Sequence, residues 1–146
     1  MSGGYDGRLN VCDVRVQGKQ LTYLLNNKIC KDVESIQWHP KDEFSFVCTT
    51  ESGLVYGFDT RKFTEPIFTL EAHKKACSAV SFSPHIPNLM ATVGTDNFCR
   101  LWDINHVTPE GIAQPKMHAE RDLKQGDLFS VQFYQDIPWV LAAGGS

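Results

Sequence analysis

Short apolar runs alternate with turn residues along most of the chain, and within the runs the alternation has the two-residue period of a β-strand. Residues 89–103 read LMATVGTDNFCRLWD: an apolar run, a turn at Asp96-Asn97, then a second alternating run ending on Trp102-Asp103. This is a hairpin pattern. Residues 44–59 (FSFVCTTESGLVYGFD) repeat it with a turn at Ser52-Gly53 and an end at Phe58-Asp59, and residues 3–13 (GGYDGRLNVCD) repeat it again with Asp6-Gly7 and Cys12-Asp13. A second landmark runs in step. VESIQWHP at 33–40 and CSAVSFSP at 77–84 set Trp38 and Phe82, and likewise Pro40 and Pro84, 44 residues apart, and LFSVQFY at 128–134 is a weaker third copy. Val33, Ile36 and Trp38, then Val80 and Phe82, then Phe129, Val131 and Phe133 are the alternating apolar side chains of these strands. The pattern predicts strands at about 9–13 and 20–25, at 33–38, 44–49, 54–59 and 65–70, at 77–82, 89–93, 98–103 and within 111–118, and at 128–134 and 139–143. It supports no helix of any length.

The terminal aspartates of the three hairpins lie 46 and then 44 residues apart (Asp13, Asp59, Asp103), the spacing of four-stranded propeller blades. The predicted fold class is therefore all-β, a propeller segment with a half blade at 1–25, blades at 33–70 and 77–118, and a half blade at 128–146. A seven-bladed ring at this period takes about 310 residues, so the 146-residue chain reads as a fragment of a larger propeller. The alternative expectation is that two copies join their half blades and close a six-bladed ring with two-fold symmetry.

These residues resemble the WD-repeat family of β-propellers. The repeat at 72–103 carries Ala72-His73 where the family has Gly-His, then Ser83-Pro84, Thr92, Asp96 and Trp102-Asp103. The resemblance implies that His73, Thr92, Asp96 and Trp102 form a buried hydrogen-bond chain tying the strands of one blade together. The other repeats depart from the pattern, with Cys12 and Phe58 in place of the tryptophan and Ser52 in place of the turn aspartate, so that chain cannot be complete in them. From Val33 onward the likeness narrows. Val55-Tyr56 before Gly57-Phe58-Asp59, Asp59-x-Arg61, the run Pro66-Ile67-Phe68-Thr69-Leu70 and Asp136-x-Pro138 resemble a nuclear and nucleolar branch of the family engaged in building the large ribosomal subunit. The resemblance implies a scaffold for protein partners among pre-ribosomal components, with rRNA processing as the process and the nucleolus as the site.

Charge and composition narrow the chemistry. With 14 basic and 17 acidic residues the formal net charge is −3, so phosphate binding would need a local basic patch. Such a patch is conceivable at Arg61, Lys62, Lys74 and Lys75 beside Phe63, diluted by Glu65 and Glu71, which leaves direct RNA contact open. No apolar run approaches the roughly 20 residues of a membrane-spanning helix, and the Met1 segment lacks a signal peptide's basic start and apolar stretch, so no membrane role is expected. The five cysteines (Cys12, Cys30, Cys48, Cys77, Cys99) contain no C-x-x-C pair, and four sit in strand-like apolar stretches where a thiol serves as a small core residue. Neither a metal nor a cofactor is implied. The chain shows no nucleophile elbow, phosphate-cradling glycine loop or carboxylate pair, so no enzymatic activity is expected.

Binding residues are then expected on loops at the ends of the strands. Asn26, Asn27, Lys28, Lys31, Glu51, Ser52, Lys74, Lys75, Thr95 and Asn97 make the candidate docking rim. Asp13-x-Arg15 and Asp59-x-Arg61 admit two readings. In some WD-repeat proteins an Asp-x-Arg presents its arginine to a cullin ubiquitin-ligase adaptor, implying a substrate receptor, whereas an exposed local ion pair is the simpler outcome.

Overall fold

The computed structural model describes residues 1–15, 18, 20–25, 32–112 and 114–146. They form antiparallel sheets stacked in chain order. The first holds β1 (Ser2–Gly3), β2 (Arg8–Cys12) and β3 (Gln20–Leu24). The second holds β4 (Val33–Trp38), β5 (Ser45–Thr50), β6 (Leu54–Asp59) and β7 (Phe68–Glu71). The third holds β8 (Cys77–Phe82), β9 (Leu89–Gly94), β10 (Phe98–Asp103) and β11 (Lys116–Asp122), and the last holds β12 (Leu128–Phe133) and β13 (Leu141–Gly145). Within each four-stranded sheet the strands follow chain order. The chain then crosses from the outer strand of one sheet to the inner strand of the next, so that β4, β8 and β12 pack side by side. No α-helix occurs among the described residues, where the helical turn is the short 3-10 segment Thr60–Lys62.

Three buried clusters occupy the spaces between successive sheets. Leu9 and Leu25 meet Phe46, Cys48, Tyr56 and Phe58 between the first and second sheets. Val47 and Val55 meet Ala72, Cys77, Val80, Phe82, Met90 and Trp102 between the second and third. Ala91, Val93 and Cys99 meet Leu128, Val131 and Phe133 between the third and fourth. The pattern follows from the two-residue strand period: a central sheet buries both faces, alternate side chains serving alternate neighbours. Each large apolar side chain so buried contributes about 1.5–3 kcal/mol.

The hairpin turns explain a repeated residue choice. Gly7, Gly53 and Asn97 stand at the same place and adopt φ of +70°, +81° and +73°, a left-handed conformation that glycine enters freely and asparagine more readily than most residues. At Gly53 a Cβ would also collide with the His73 carbonyl. Each hairpin ends alike, its aspartate accepting the backbone N–H two residues on: Arg15 N to Asp13 at 3.0 Å, Arg61 N to Asp59 at 2.8 Å and Asn105 N to Asp103 at 3.0 Å. These Asx turns redirect the chain out of the strand.

Several expectations require correction. The N-terminal unit has three strands where two were expected, because Ser2 and Gly3 pair with Asn10 and Leu9. The outer strand of the third sheet runs Lys116–Asp122 instead of lying within 111–118. Pro109 and Pro115 lack the N–H a ladder needs, and a local pairing of Thr108 with Ile112 and of His106 with Gln114 occupies the connection. The strands expected at 65–70 and 139–143 start later, at Phe68 and Leu141, past Pro66 and Pro138. Phe129 is 54% exposed, not part of the buried alternation. A bulge between Leu128 and Ser130 skips it in the pairing and hands its interior place to Leu128. The same bulge recurs at Val33/Ser35 and Cys77/Ala79, a further sign of repetition. Of the cysteines, Cys48, Cys77 and Cys99 are buried and Cys12 is exposed, while Cys30 lies outside the described residues.

Candidate functional site

The connection between β7 and β8 carries His73 beneath the β9–β10 hairpin, and the hairpin supplies the hydrogen-bonding partners of the ring, Thr92, Asp96 and Arg100. Trp102 Nε1 donates to Thr92 Oγ1 at 2.9 Å, Thr92 Oγ1 lies 2.8 Å from His73 Nε2, and His73 Nδ1 lies 2.8 Å from Asp96 Oδ1. With the proton on Nδ1 the ring donates to the Asp96 carboxylate, and Nε2 accepts the Thr92 hydroxyl proton while that oxygen accepts from the indole. Arg100 Nη1 also lies 2.7 Å from His73 Nδ1, so with the proton on Nε2 the ring would instead accept from the guanidinium and donate to Thr92 Oγ1. Thr92 is fully buried, and Trp102 and His73 are nearly so.

Arg100, which the sequence reading missed, completes this cluster. Its Nη1 donates to Asp96 Oδ2 at 2.8 Å and to the Ala72 carbonyl at 3.1 Å, and its Nε donates to Glu120 Oε2 at 3.1 Å. The signal was present: Arg100 lies two residues before Trp102 on β10 and therefore points to the same face. Burial pushes the His73 imidazole below its usual range, Asp96 partly offsets this, and the Arg100 charge adds to the lowering. For Asp96, burial pushes upward and is outweighed by the hydrogen bonds from Arg100 and His73, leaving the carboxyl at about 2.

Both shifts give the same sign of pH dependence. Between the lowered His73 value and about 6.5 the unfolded chain takes up a proton that the folded chain refuses, so stability falls as pH drops below about 6.5. Asp96 adds a second loss as pH falls from about 4 toward 2. Urea midpoints between pH 8 and pH 3 should show both steps, and His73→Gln should flatten the first.

The other repeats replace this polar chain with apolar packing. On the second sheet Cys48, Tyr56 and Phe58 take the places of Thr92, Arg100 and Trp102. Phe58 stands 4.8 Å from Tyr23, 5.5 Å from Phe46 and 5.4 Å from Phe63 between ring centroids.

Among the rim candidates the structure brings Glu51, Ser52, Lys74, Lys75, Thr95 and Asn97 to one end of the sheets. Lys74 N donates to Asp96 Oδ2 at 3.2 Å and Thr95 N to the Ala76 carbonyl at 3.0 Å, so the rim is pinned to the polar cluster beneath it. Glu51, Lys74 and Lys75 are exposed, and Thr95 and Asn97 are half-buried. Asn26, Asn27, Lys28 and Lys31 lie outside the described residues. The conceivable basic patch is not formed. Lys74 and Lys75 lie near Gly53, at the start of β6, whereas Arg61 and Lys62 follow its end, about 20 Å away along six residues of strand. Lys62 is moreover paired with Glu65 at 2.5 Å.

In both Asp-x-Arg segments the arginine turns back on its own aspartate. Arg15 Nη2 meets Asp13 Oδ2 at 2.7 Å and Arg61 Nη2 meets Asp59 Oδ2 at 2.5 Å, with Nε on Oδ1 at 2.9 and 3.0 Å. Arg61 also lies over the Phe44 ring, 4.5 Å from its centroid.

Stacked antiparallel sheets joined outer strand to inner strand, with a buried Trp-Thr-His-Asp chain inside one of them, make this chain a WD-repeat β-propeller segment. Residues 64–103 match the family model described as WD domain, G-beta repeat. An uncharacterized WD repeat-containing protein of Schizosaccharomyces pombe is 33% identical over 121 residues, covering 82% of this chain and 22% of that protein. Periodic tryptophan protein 1 of Saccharomyces cerevisiae is 28% identical over 141 residues, covering 94% of this chain and 24% of that protein. The chain thus spans about a quarter of the length of these curated relatives. A chain in a crystal structure of the mitotic checkpoint complex superposes with a TM-score of 0.77 at 21% identity, covering 96% of this chain and 38% of that one, which shows the fold.

Proposed function

We propose that this chain is part of a non-enzymatic scaffold that binds protein components of the pre-ribosomal particle during assembly of the large ribosomal subunit and rRNA processing, in the nucleus and nucleolus. The observation that carries the reading is the likeness to periodic tryptophan protein 1 along 94% of this chain. The rigid stack of sheets supports it, since it presents loops at fixed positions and needs no moving part to do so. The rim formed by Glu51, Lys74, Lys75, Thr95 and Asn97 is the surface we assign to a partner. The Asp-x-Arg segments carry less of the function, because Asp13 and Asp59 already hold the guanidinium groups of Arg15 and Arg61 that an adaptor would need.

Affinity purification of the full-length protein from cells, with mass spectrometry of the companions, tests this. Pre-ribosomal proteins should be recovered, and a Lys74→Glu, Lys75→Glu variant should reduce them. Recovery of a cullin adaptor that disappears when Arg15 and Arg61 are both replaced would instead support the substrate-receptor reading.

A further inference from the structure

The second repeat fills with its own arginine a place that the third repeat leaves to a cavity. At the end of β6, Asp59 holds the Arg61 guanidinium through both carboxylate oxygens, and the Phe44 ring lies 4.5 Å from that guanidinium. The Phe44 carbonyl also accepts the N–H that follows the aspartate, from Thr60 at 2.9 Å. One repeat further on, Ile104 N donates in the same way to the Asn88 carbonyl at 3.0 Å. Asn88 thus stands in the place of Phe44, Asp103 in that of Asp59 and Asn105 in that of Arg61. Asp103 keeps the backbone half of the arrangement and accepts Asn105 N at 3.0 Å, but among the described residues no basic side chain pairs with its carboxylate.

Two cavities meet there. One of about 310 Å³ is lined by Asn88, Asp103, Asn105 and His118. Beside it an apolar cleft of about 220 Å³ enters between the second and third sheets over Val47, Phe68, Phe82 and Ile104, more room than the roughly 150 Å³ that admits a benzene ring. Asn88 and Asn105 line both, so the two form one groove. Its walls are the two four-stranded sheets and their connections.

We propose that this groove binds a peptide segment of a partner protein, with an arginine of the segment seated on Asp103 as Arg61 is seated on Asp59, and a neighbouring large apolar side chain inserted between the two sheets. The occupant carries an arginine because the equivalent carboxylate of this same chain takes one, and because a planar guanidinium matches both the charge and the paired oxygens. The apolar neighbour follows from the lining of the cleft, where its burial supplies much of the affinity. Between the two, the side-chain amides of Asn88 and Asn105 offer donors and acceptors to the peptide backbone. The groove lies at the Asp59 and Asp103 end of the strands, opposite the Lys74-Lys75 rim. It is therefore a second docking surface, and it stands or falls separately from the scaffold reading.

Fluorescence anisotropy of the full-length protein tests the groove, using labelled peptides with one leucine or phenylalanine and one arginine up to about three residues apart, roughly 10 Å of extended chain. At least one peptide should bind saturably. Citrulline in place of its arginine, or alanine in place of its apolar residue, should weaken binding by on the order of tenfold or more. Asp103→Asn, which keeps an acceptor for Asn105 N, should weaken it by a similar factor with unchanged circular dichroism. Asn105→Arg should do the same by seating its own guanidinium on Asp103, whereas Lys74→Glu with Lys75→Glu should leave the peptide bound. No saturable binding by any peptide up to about 1 mM overturns the proposal. So does binding that survives both Asp103→Asn and Asn105→Arg, or binding that is lost only with the Lys74 and Lys75 substitutions.

Discussion

Asp96→Ala is expected to lower stability by about 3 kcal/mol or more, the largest effect of any single polar substitution in this chain. The carboxylate is 9% exposed and bonds both His73 and Arg100, so its removal leaves a buried guanidinium and a buried imidazole facing each other without their common acceptor. Trp102→Phe deletes one donor in the same network and keeps most of the packing, and should cost about 1–2 kcal/mol. Equilibrium urea unfolding measures both. His73→Ala combined with Asp96→Ala should cost clearly less than the two single losses added together, because the residues act through one another. Additive losses would mean that the distances in the cluster do not reflect energetic coupling.

Phe58→Ala is expected to cost about 4 kcal/mol and to act on a particular interface. Phe58 is fully buried and touches rings from both sides of the boundary between the first and second sheets: Tyr23 on β3, and Phe46, Tyr56 and Phe63 on the second sheet and its connection. Truncation removes the contacts of a whole ring and leaves a cavity that four aromatic neighbours cannot collapse into. Amide exchange should accelerate first in β2 and β3, whose attachment depends on this cluster, and last in β9 and β10. Phe58→Leu should recover most of the loss. Uniform acceleration throughout the chain would show that the sheets do not part at this boundary.

The contrast between these two positions shows what was legible in the sequence. Phe58 and Trp102 occupy the same place in successive repeats, and the 44-residue spacing of Asp59 and Asp103 made that equivalence readable without coordinates. The turn signals were equally plain, because positive φ at Gly7, Gly53 and Asn97 restricts the residue type. Strand edges beside prolines were not readable to the residue: Pro66, Pro115 and Pro138 block ladder hydrogen bonds, but the alternation of side chains runs through them. Phe129 misled because a bulge resets the face and changes no residue type. Arg100 was overlooked because a strand arginine ordinarily reads as solvated, and its burial depends on a carboxylate four residues away across a turn. The basic patch failed because residues near in sequence number sit at opposite ends of a strand.

The central claim is that apolar side chains are buried between consecutive sheets and not around one common centre. Methyl-to-methyl nuclear Overhauser contacts measure this most directly. The account predicts contacts within three separate groups, Leu9 with Leu25, Val47 and Val55 with Val80, and Val93 with Leu128 and Val131, with none linking Leu9 to Leu128. Contacts between Leu9 and Leu128 methyls in the monomeric chain would reveal a single collapsed core and contradict it.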